Sequence, residues 1–207
     1  MGQWQVAHAD SSEVGRAGVA ILSREPLRDV QVGLAGFQDS GRWVQARVGA
    51  TTVVSAYVHT GEAATSRQDE KYAFLDAAGE RMQTLVGGPA VLTGDLNICH
   101  TARDLRNTKG NVGKAGYLPQ EQGHLTSWSD SGWVDVVRVD AGDVDGPYTW
   151  WSWRGKAFDN DTGWRIDYQW ASPSLAGSVR SVRVGRADSY AQRWSDHAAV
   201  VVDYDGA

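Results

Sequence analysis

The sequence predicts mixed β-sheets flanked by helices, an α/β or α+β layered sandwich. Three observations lead there. Strand-like runs outnumber helix-like runs, and some lie close enough in sequence to form hairpins. The stretch from Thr51 to Asp95 reads as strand, helix, strand. No Pro/Ser-rich linker, charge block or internal repeat divides the 207 residues, so 1–207 is expected to be a single domain.

"AGVAILSR" (Ala17 to Arg24) is a short buried strand stopped before Pro26. "GRWVQARVG" and "TTVVSAYVH" are paired strands turning near Gly49 and Ala50. Trp43, Gln45 and Arg47 alternate there with Val44, Ala46 and Val48, which predicts one apolar face. The period then changes. In "SRQDEKYAFLDAAGERMQTLVGGP", Tyr72, Leu75, Ala78, Met82 and Leu85 recur at helical spacing. Ser66 and Asp69 have the spacing of a capping box, and Gly87, Gly88 and Pro89 end the helix. "AVLTGD" is the buried strand that follows, and "LPQEQGHLTSWSDSG" is a shorter helix with Pro119 near its start. "GWRIDYQWAS" alternates again, with Trp164, Ile166, Tyr168 and Trp170 on one face and Arg165, Asp167 and Gln169 on the other. "DHAAVVVDY" is the last strand.

Hydrophobic residues make up 42% and charged residues 22%, ordinary values for a soluble globular chain. A net charge of -5 argues against a general polycation, though carboxylates that hold cations can dominate the formal charge of a nucleic-acid enzyme. Basic residues are dense in "HTARDLRNTKGNVGKAG", where Arg103, Arg106, Lys109 and Lys114 stand against one acid, Asp104. A solvated loop is the competing reading. The single cysteine, Cys99, rules out an intramolecular disulfide and is best read as a small buried residue. No secretory signal pattern and no bilayer-length apolar run is present, so a cytoplasmic protein is expected.

The chemistry gathers at strand ends. In "VLTGDLN", Asp95 and Asn97 share a face if the strand stays extended, at the end where α/β sheets place their sites. The carboxylate can orient or deprotonate a water and the amide can donate to a phosphoryl oxygen. A polar turn satisfying its own backbone is the alternative. Asp196-His197 opens the last strand. Neighbours in a strand face opposite ways, so Asp167 is the better candidate to orient His197. The alternatives are a core histidine, and an Asp167 paired with Arg165. The histidines show no metal spacing such as HxxxH, and no P-loop or G-x-S-x-G elbow is present. The remaining acids and amide (Asp95, Asn97, Asp104, Asp167 and Asp196) suit a hard cation such as magnesium or manganese.

"GDLNICHTARDLRNTKGNVGKAGYLPQE", "GWRIDY" and "SDH", in that order, resemble the exonuclease III family of abasic-site endonucleases, within the endonuclease/exonuclease/phosphatase superfamily. The resemblance runs from "GRAGVAILSR" to "DHAAVVVDY". It implies a four-layer sandwich, two mixed sheets face to face with helices outside. It also implies divalent-metal-dependent hydrolysis of phosphodiesters at abasic sites and 3' ends of double-stranded DNA, with Mg2+ or Mn2+ as cofactor. By position, Asp95 resembles the carboxylate on the attacking water and Asn97 its partner on the phosphate. Tyr57 resembles a phosphate-contacting tyrosine, and Asp167 with His197 an acid–histidine pair. Asp95, Asn97, Asp196 and His197 would face the metal. Trp150 and Trp164 fall where the family lines a pocket for a sugar lacking its base, with Trp153 close in sequence, while Trp151 and Trp170 fit a core. Arg103, Arg106, Lys109 and Lys114 would contact DNA phosphates.

The chain departs from the pattern in two places. Family members open with a strand ending in an Asn-x-Asn-Gly-like motif and a second ending in Gln-Glu, whose glutamate is the principal metal ligand. Neither is here, and Gln120-Glu121 lies too late in the chain to stand in. Met1 therefore reads as an internal start, with two strands of one sheet missing, apolar faces left uncovered and metal affinity lowered. A catalytically impaired DNA-binding remnant is the alternative function, and a monomer is expected if the chain is complete. A phosphatase for lipids or small molecules is disfavoured by the Asp95–Glu121 segment. His59 and Thr60 also replace the Pro-Gln or Pro-Asn that usually follows the tyrosine.

Overall fold

A computed structural model describes residues 3–206. Its strands are β1 (Gln5–Asp10), β2 (Gly18–Ser23), β3 (Leu27–Val32), β4 (Trp43–Val48) and β5 (Thr51–Tyr57), then β6 (Ala90–Asp95), β7 (Val134–Asp135), β8 (Asp167–Ala171), β9 (Val179–Gly185) and β10 (Ala199–Tyr204). The helices are α1 (Ser66–Leu85), α2 (Pro119–Asp130), α3 (Val136–Ala141) and α4 (Pro173–Ala176). One six-stranded mixed sheet, ordered β3-β4-β5-β6-β8-β7, forms the centre, and β1-β2 and β9-β10 are separate antiparallel pairs. The expected α/β layering is borne out. The second sheet of the expected sandwich differs, because among the described residues that layer is two hairpins.

Local chemistry explains the centre. Val48 and Thr51 pair across Gly49 and Ala50, and Gly49 sits at φ 57, so the β4–β5 turn falls where the sequence placed it. β5 and β6 are parallel and need a long crossover, which α1 supplies. Phe74, Leu75, Ala78 and Met82 of α1 pack on Trp43, Val54, Leu92 and Trp170, together with Leu125 and Trp128 of α2. The opposite sheet face carries β1-β2 over Val44 and Ala46, and β9-β10 with α3 and α4 over Val91 and Ala171.

This two-sided cover corrects one expectation: β4 has no polar face, since Trp43, Val44, Gln45 and Ala46 are all buried. Gln45 is satisfied there by Arg81 of α1, at 2.8 Å. The Ser66–Asp69 capping box does not form. Thr65 holds the cap position and makes no side-chain cap bond. The strand expected from Gly163 begins only at Asp167, and the last strand begins at Ala199, after His197. Val6 and Leu22 on the β1-β2 pair are more than half exposed.

Candidate active site

Register builds the site. Tyr57 pairs with Asp95 across β5–β6, and Asp95 pairs with Asp167 across β6–β8. Directly paired residues face the same way, so these three polar side chains form one row at the end of the central strands. Gly94 makes the row possible. A Cβ there would lie 1.8 Å from the Ala56 carbonyl oxygen, and the residue sits at φ 140.

Asn97 joins the row differently from the expectation. The strand ends at Asp95, and Asn97 sits in the left-handed region at φ 50. Its backbone N–H donates to Asp95 Oδ1 at 2.8 Å and its side-chain amide to Asp95 Oδ2 at 2.8 Å. The amide also donates to the Val58 carbonyl at 2.9 Å. The pair is thus the polar turn of the alternative reading, and both residues also line a cavity. Thr60 Oγ1 lies 3.4 Å from Asn97 Oδ1.

His197 comes from the loop before β10. Its Nδ1 lies 2.8 Å from Asp167 Oδ2, which leaves Nε2 as the ring atom a ligand can meet. Arg165, the competing partner for Asp167, is engaged elsewhere, with Asp104 and Asp135. That same network removes Asp104 from the oxygen-rich set. Asp104 is fully buried between Arg165 and Arg138 and cannot face a cation in the site. Asp196 stays near the site, with Oδ2 accepting the Trp150 indole N–H at 3.0 Å.

The row opens onto a cavity of about 320 Å³ lined by Tyr57, Asp95, Asn97, Trp150, Trp164 and His197, together with Thr60, Ala115, Gly116 and Ile166. Trp150 and Trp164 meet edge to face with centroids 6.0 Å apart. Trp151 and Trp170 are core residues, as expected, while Trp153 is half exposed and lies outside the cavity lining. A cleft of about 380 Å³ between Ser11 and Glu70 holds none of these groups.

Charge follows geometry. Burial, then the charge of Asp167, push the Asp95 carboxyl up to about 7. Burial pushes the His197 imidazole down, but the hydrogen bond and charge of Asp167, with Asp95 and Asp196, hold it above the usual histidine range. Burial and then Asp95 raise the Tyr57 hydroxyl, against Arg42 and Arg67.

The basic loop is less available than its sequence suggested. Arg103 pairs with Asp143 and lies 3.6 Å from Asp145, and Arg106 lies 3.7 Å from Asp145. Lys109 and Lys114 make no ion pair among the described residues. Sequence reasoning missed Ala115, Gly116 and Ile166 in the cavity wall. Small residues carry no signal of that kind, but the Trp164/Ile166 alternation did place Ile166 beside Trp164.

The donors for a cation are hard oxygens, and Asp95 and Asp167 are register partners whose mutual charge adds to burial in raising Asp95. Among the described residues no group of three or more His, Cys, Asp or Glu converges to hold a metal. Magnesium commonly takes one or two carboxylates and completes its shell with water and substrate phosphate, so the set fits in kind. No described helix is long and apolar enough to cross a membrane.

Comparison with known proteins follows the same lines. The endonuclease/exonuclease/phosphatase family model matches residues 5–197. An exodeoxyribonuclease of Bacillus subtilis (strain 168) is 32% identical over 189 residues, 90% of this chain and 73% of that protein. One of Streptococcus pneumoniae is 30% identical over 198 residues, 92% of this chain and 70% of that protein. The structure of an AP endonuclease from Archaeoglobus fulgidus superposes with TM-score 0.89 at 25% identity, covering 98% of this chain and 79% of that one. A 3' phosphatase from Neisseria, bound to product DNA hairpin, superposes with TM-score 0.88 at 28% identity, covering 98% and 79%. The resemblance drawn from the motifs is borne out, and the chain belongs to the endonuclease/exonuclease/phosphatase family.

Proposed function

We propose that the chain is a DNA repair nuclease that hydrolyses phosphodiesters at abasic sites and 3' ends of double-stranded DNA, with Mg2+ or Mn2+. The observation that carries this reading is the Tyr57–Asp95–Asp167 row, with Asn97 and His197, opening onto a cavity walled by Trp150 and Trp164. The relatives named exodeoxyribonuclease and the AP endonuclease structure support it.

Each residue has a chemical part. Asp95, pushed up to about 7, accepts a proton from an attacking water near neutral pH. The Asn97 amide holds Asp95 in place and, turned toward a bound phosphate, donates to an oxygen. His197, whose protonated form Asp167 favours, donates from Nε2 to a phosphoryl oxygen, where charge develops. Tyr57 adds a hydroxyl at the other end of the row. The Trp150–Trp164 corner offers flat apolar walls to an extruded sugar. Asp95 and Asp196, with Asn97 Oδ1, are the groups that would hold a divalent cation, which would supply charge to offset the phosphoryl oxygens, while His197 faces the phosphate beside it. Lys109 and Lys114 would hold the DNA backbone, with Arg103 and Arg106 once freed from their acids.

A catalytically impaired DNA-binding remnant is the second reading, favoured by the absence of three converging metal donors among the described residues. One experiment separates the two. The chain is incubated with duplex DNA carrying a single synthetic abasic site, with magnesium or with EDTA, beside Asp95→Ala. Incision that requires magnesium and vanishes in Asp95→Ala is expected. Preferential binding to the abasic duplex without incision would establish the second reading. Neither incision nor binding would sink both.

A further inference from the structure

Beneath the catalytic row lies a charged pair that the reading above does not use. Lys71 of α1 and Glu121 of α2 are both fully buried, with Nζ 2.6 Å from Oε1. Removing two charges from water is costly, and apolar side chains of similar volume often serve stability as well or better. What the pair does supply is geometry. Lys71 Nζ also donates to the carbonyls of Asn97 at 2.9 Å and Thr60 at 3.1 Å, so its three protons all have acceptors. Glu121 Oε2 accepts the backbone N–H groups of Gly116 at 2.7 Å and Leu118 at 3.0 Å.

The backbone segments so held are the cavity's own. Thr60, Asn97 and Gly116 all line it. Asn97 sits at φ 50, in the left-handed region that asparagine tolerates better than most residues, and its carbonyl is the one that Lys71 holds. Gly116 touches the aromatic wall so closely that a Cβ would lie 2.9 Å from the Trp164 ring. A shift of either backbone therefore moves a catalytic amide or a wall.

We propose that Lys71 and Glu121 are positioning residues for the active site: Lys71, through the Asn97 carbonyl, fixes the turn that aims the Asn97 amide at Asp95, and Glu121, through the Gly116 amide, fixes the Trp164 wall. The proposal rests on the nuclease reading for its effect on rate, and on the structure alone for its effect on Asn97.

The test uses the full chain and two readouts. The first is the side-chain NH2 signal of Asn97 in a ¹H–¹⁵N spectrum, assigned by its loss in Asn97→Asp. The second is kcat and KM on the abasic duplex. The main variant is Lys71→Met with Glu121→Leu, which replaces the buried pair by apolar side chains and is expected to melt near the parent. Its Asn97 NH2 signal is expected to shift and to exchange with solvent at least tenfold faster. Its kcat is expected to fall at least tenfold as the Asn97 turn loosens, and its KM to rise at least threefold as the Trp164 wall loosens. Glu121→Gln, which leaves Lys71 on the Asn97 carbonyl, is expected to keep the Asn97 signal in place. An unmoved Asn97 signal with kcat within twofold in the folded double variant overturns the proposal. If that variant does not fold, Lys71→Gln is read in the same way, and failure of both to fold overturns it by assigning the pair to the fold. A parent chain that does not incise sinks the nuclease reading alone, and the Asn97 signal still decides this one.

Discussion

His197 Nδ1 lies 2.8 Å from Asp167 Oδ2, though the two residues are 30 positions apart. The contact ties the β10 loop to the first residue of β8, and Asp167 is in turn the register partner of Asp95. Burial alone would push the imidazole down, and the carboxylate reverses that. In Asp167→Asn the burial remains and that carboxylate's charge goes, leaving only Asp95 and Asp196 against burial, so the His197 pKa should fall. The imidazolium would then be lost at a lower pH. The alkaline limb of the kcat profile should move toward acid, and kcat at neutral pH should drop by about 10²-fold, the range of one general acid. An NMR titration of the His197 ring in both proteins checks this, and an unchanged titration would refute it.

The two wall tryptophans should separate by function. At about 25 cal/mol per Å² of apolar surface buried, losing about 40 Å² of Trp164 contact to the extruded sugar costs about 1 kcal/mol, so Trp164→Ala should weaken binding of the abasic duplex by about fivefold. Preference for abasic over intact duplex should shrink with it. Trp150→Phe keeps a flat wall but loses the indole N–H on Asp196 Oδ2, 3.0 Å away. Lesion preference should persist there, while kcat falls several-fold as Asp196 loses its anchor. Competition binding with intact and abasic duplexes distinguishes the two patterns.

Much of this site could be read before the fold was known, and the reasons are specific. Asp95 was legible because an apolar run of β propensity ended on it, and Asp167 because it sat on the polar face of an alternating segment. The Asn97 geometry was not legible. Spacing of two implies an extended strand, whereas the residue turns back at φ 50 to bond its neighbour. Lys71 and Glu121 were invisible because charged side chains are almost always exposed, and nothing local marks a pair 50 positions apart. β1 and β9 carried an available signal, the alternation of "QVAHAD" and "VRSVRVG", that the motif-led reading passed over. β4 misled for the opposite reason: Gln45 and Arg47 looked solvent-facing, yet α1 covers Gln45.

The four basic residues of the Arg103–Lys114 loop should not contribute equally to DNA binding. Arg103 and Arg106 already face Asp143 and Asp145, whereas Lys109 and Lys114 face no acid among the described residues. A phosphate contact removed from B-DNA lowers the salt slope by about 0.9. Lys109→Ala and Lys114→Ala should each show that drop, and Arg103→Ala a smaller one. Asp143→Asn with Asp145→Asn should tighten binding by a factor of up to about five, since an exposed ion pair is worth about 0–1 kcal/mol. Fluorescence anisotropy across a salt series reads all of these. Equal slopes for Arg103→Ala and Lys109→Ala would contradict the pairing.

Asp104 should set the acid limit of stability and, through it, the pocket wall. Burial pushes its carboxyl up, but Arg165, Arg138 and the Thr101 N–H outweigh that and hold it below the usual carboxylate range. Arg165 Nε and Arg138 Nη2 both donate to Asp104 Oδ1 at 2.6 Å. A group whose folded pKa is depressed contributes stability present above its unfolded pKa and lost as pH falls through the folded value. For Asp104 that loss starts near an unfolded value of about 3.9 and proceeds toward lower pH. Asp104→Asn leaves the buried Arg165 short of a counter-charge, so urea unfolding at pH 7 should show a loss of about 3–5 kcal/mol. Below pH 4 the variant should also lose less further stability than the parent does. The Asp104 carbonyl accepts the Arg165 N–H at 2.8 Å, and Leu105 bridges Trp164, so the same change should loosen the tryptophan wall and raise KM for the abasic duplex. Parallel acid limbs in the two proteins, with KM unchanged, would show that Asp104 is a spectator at both levels.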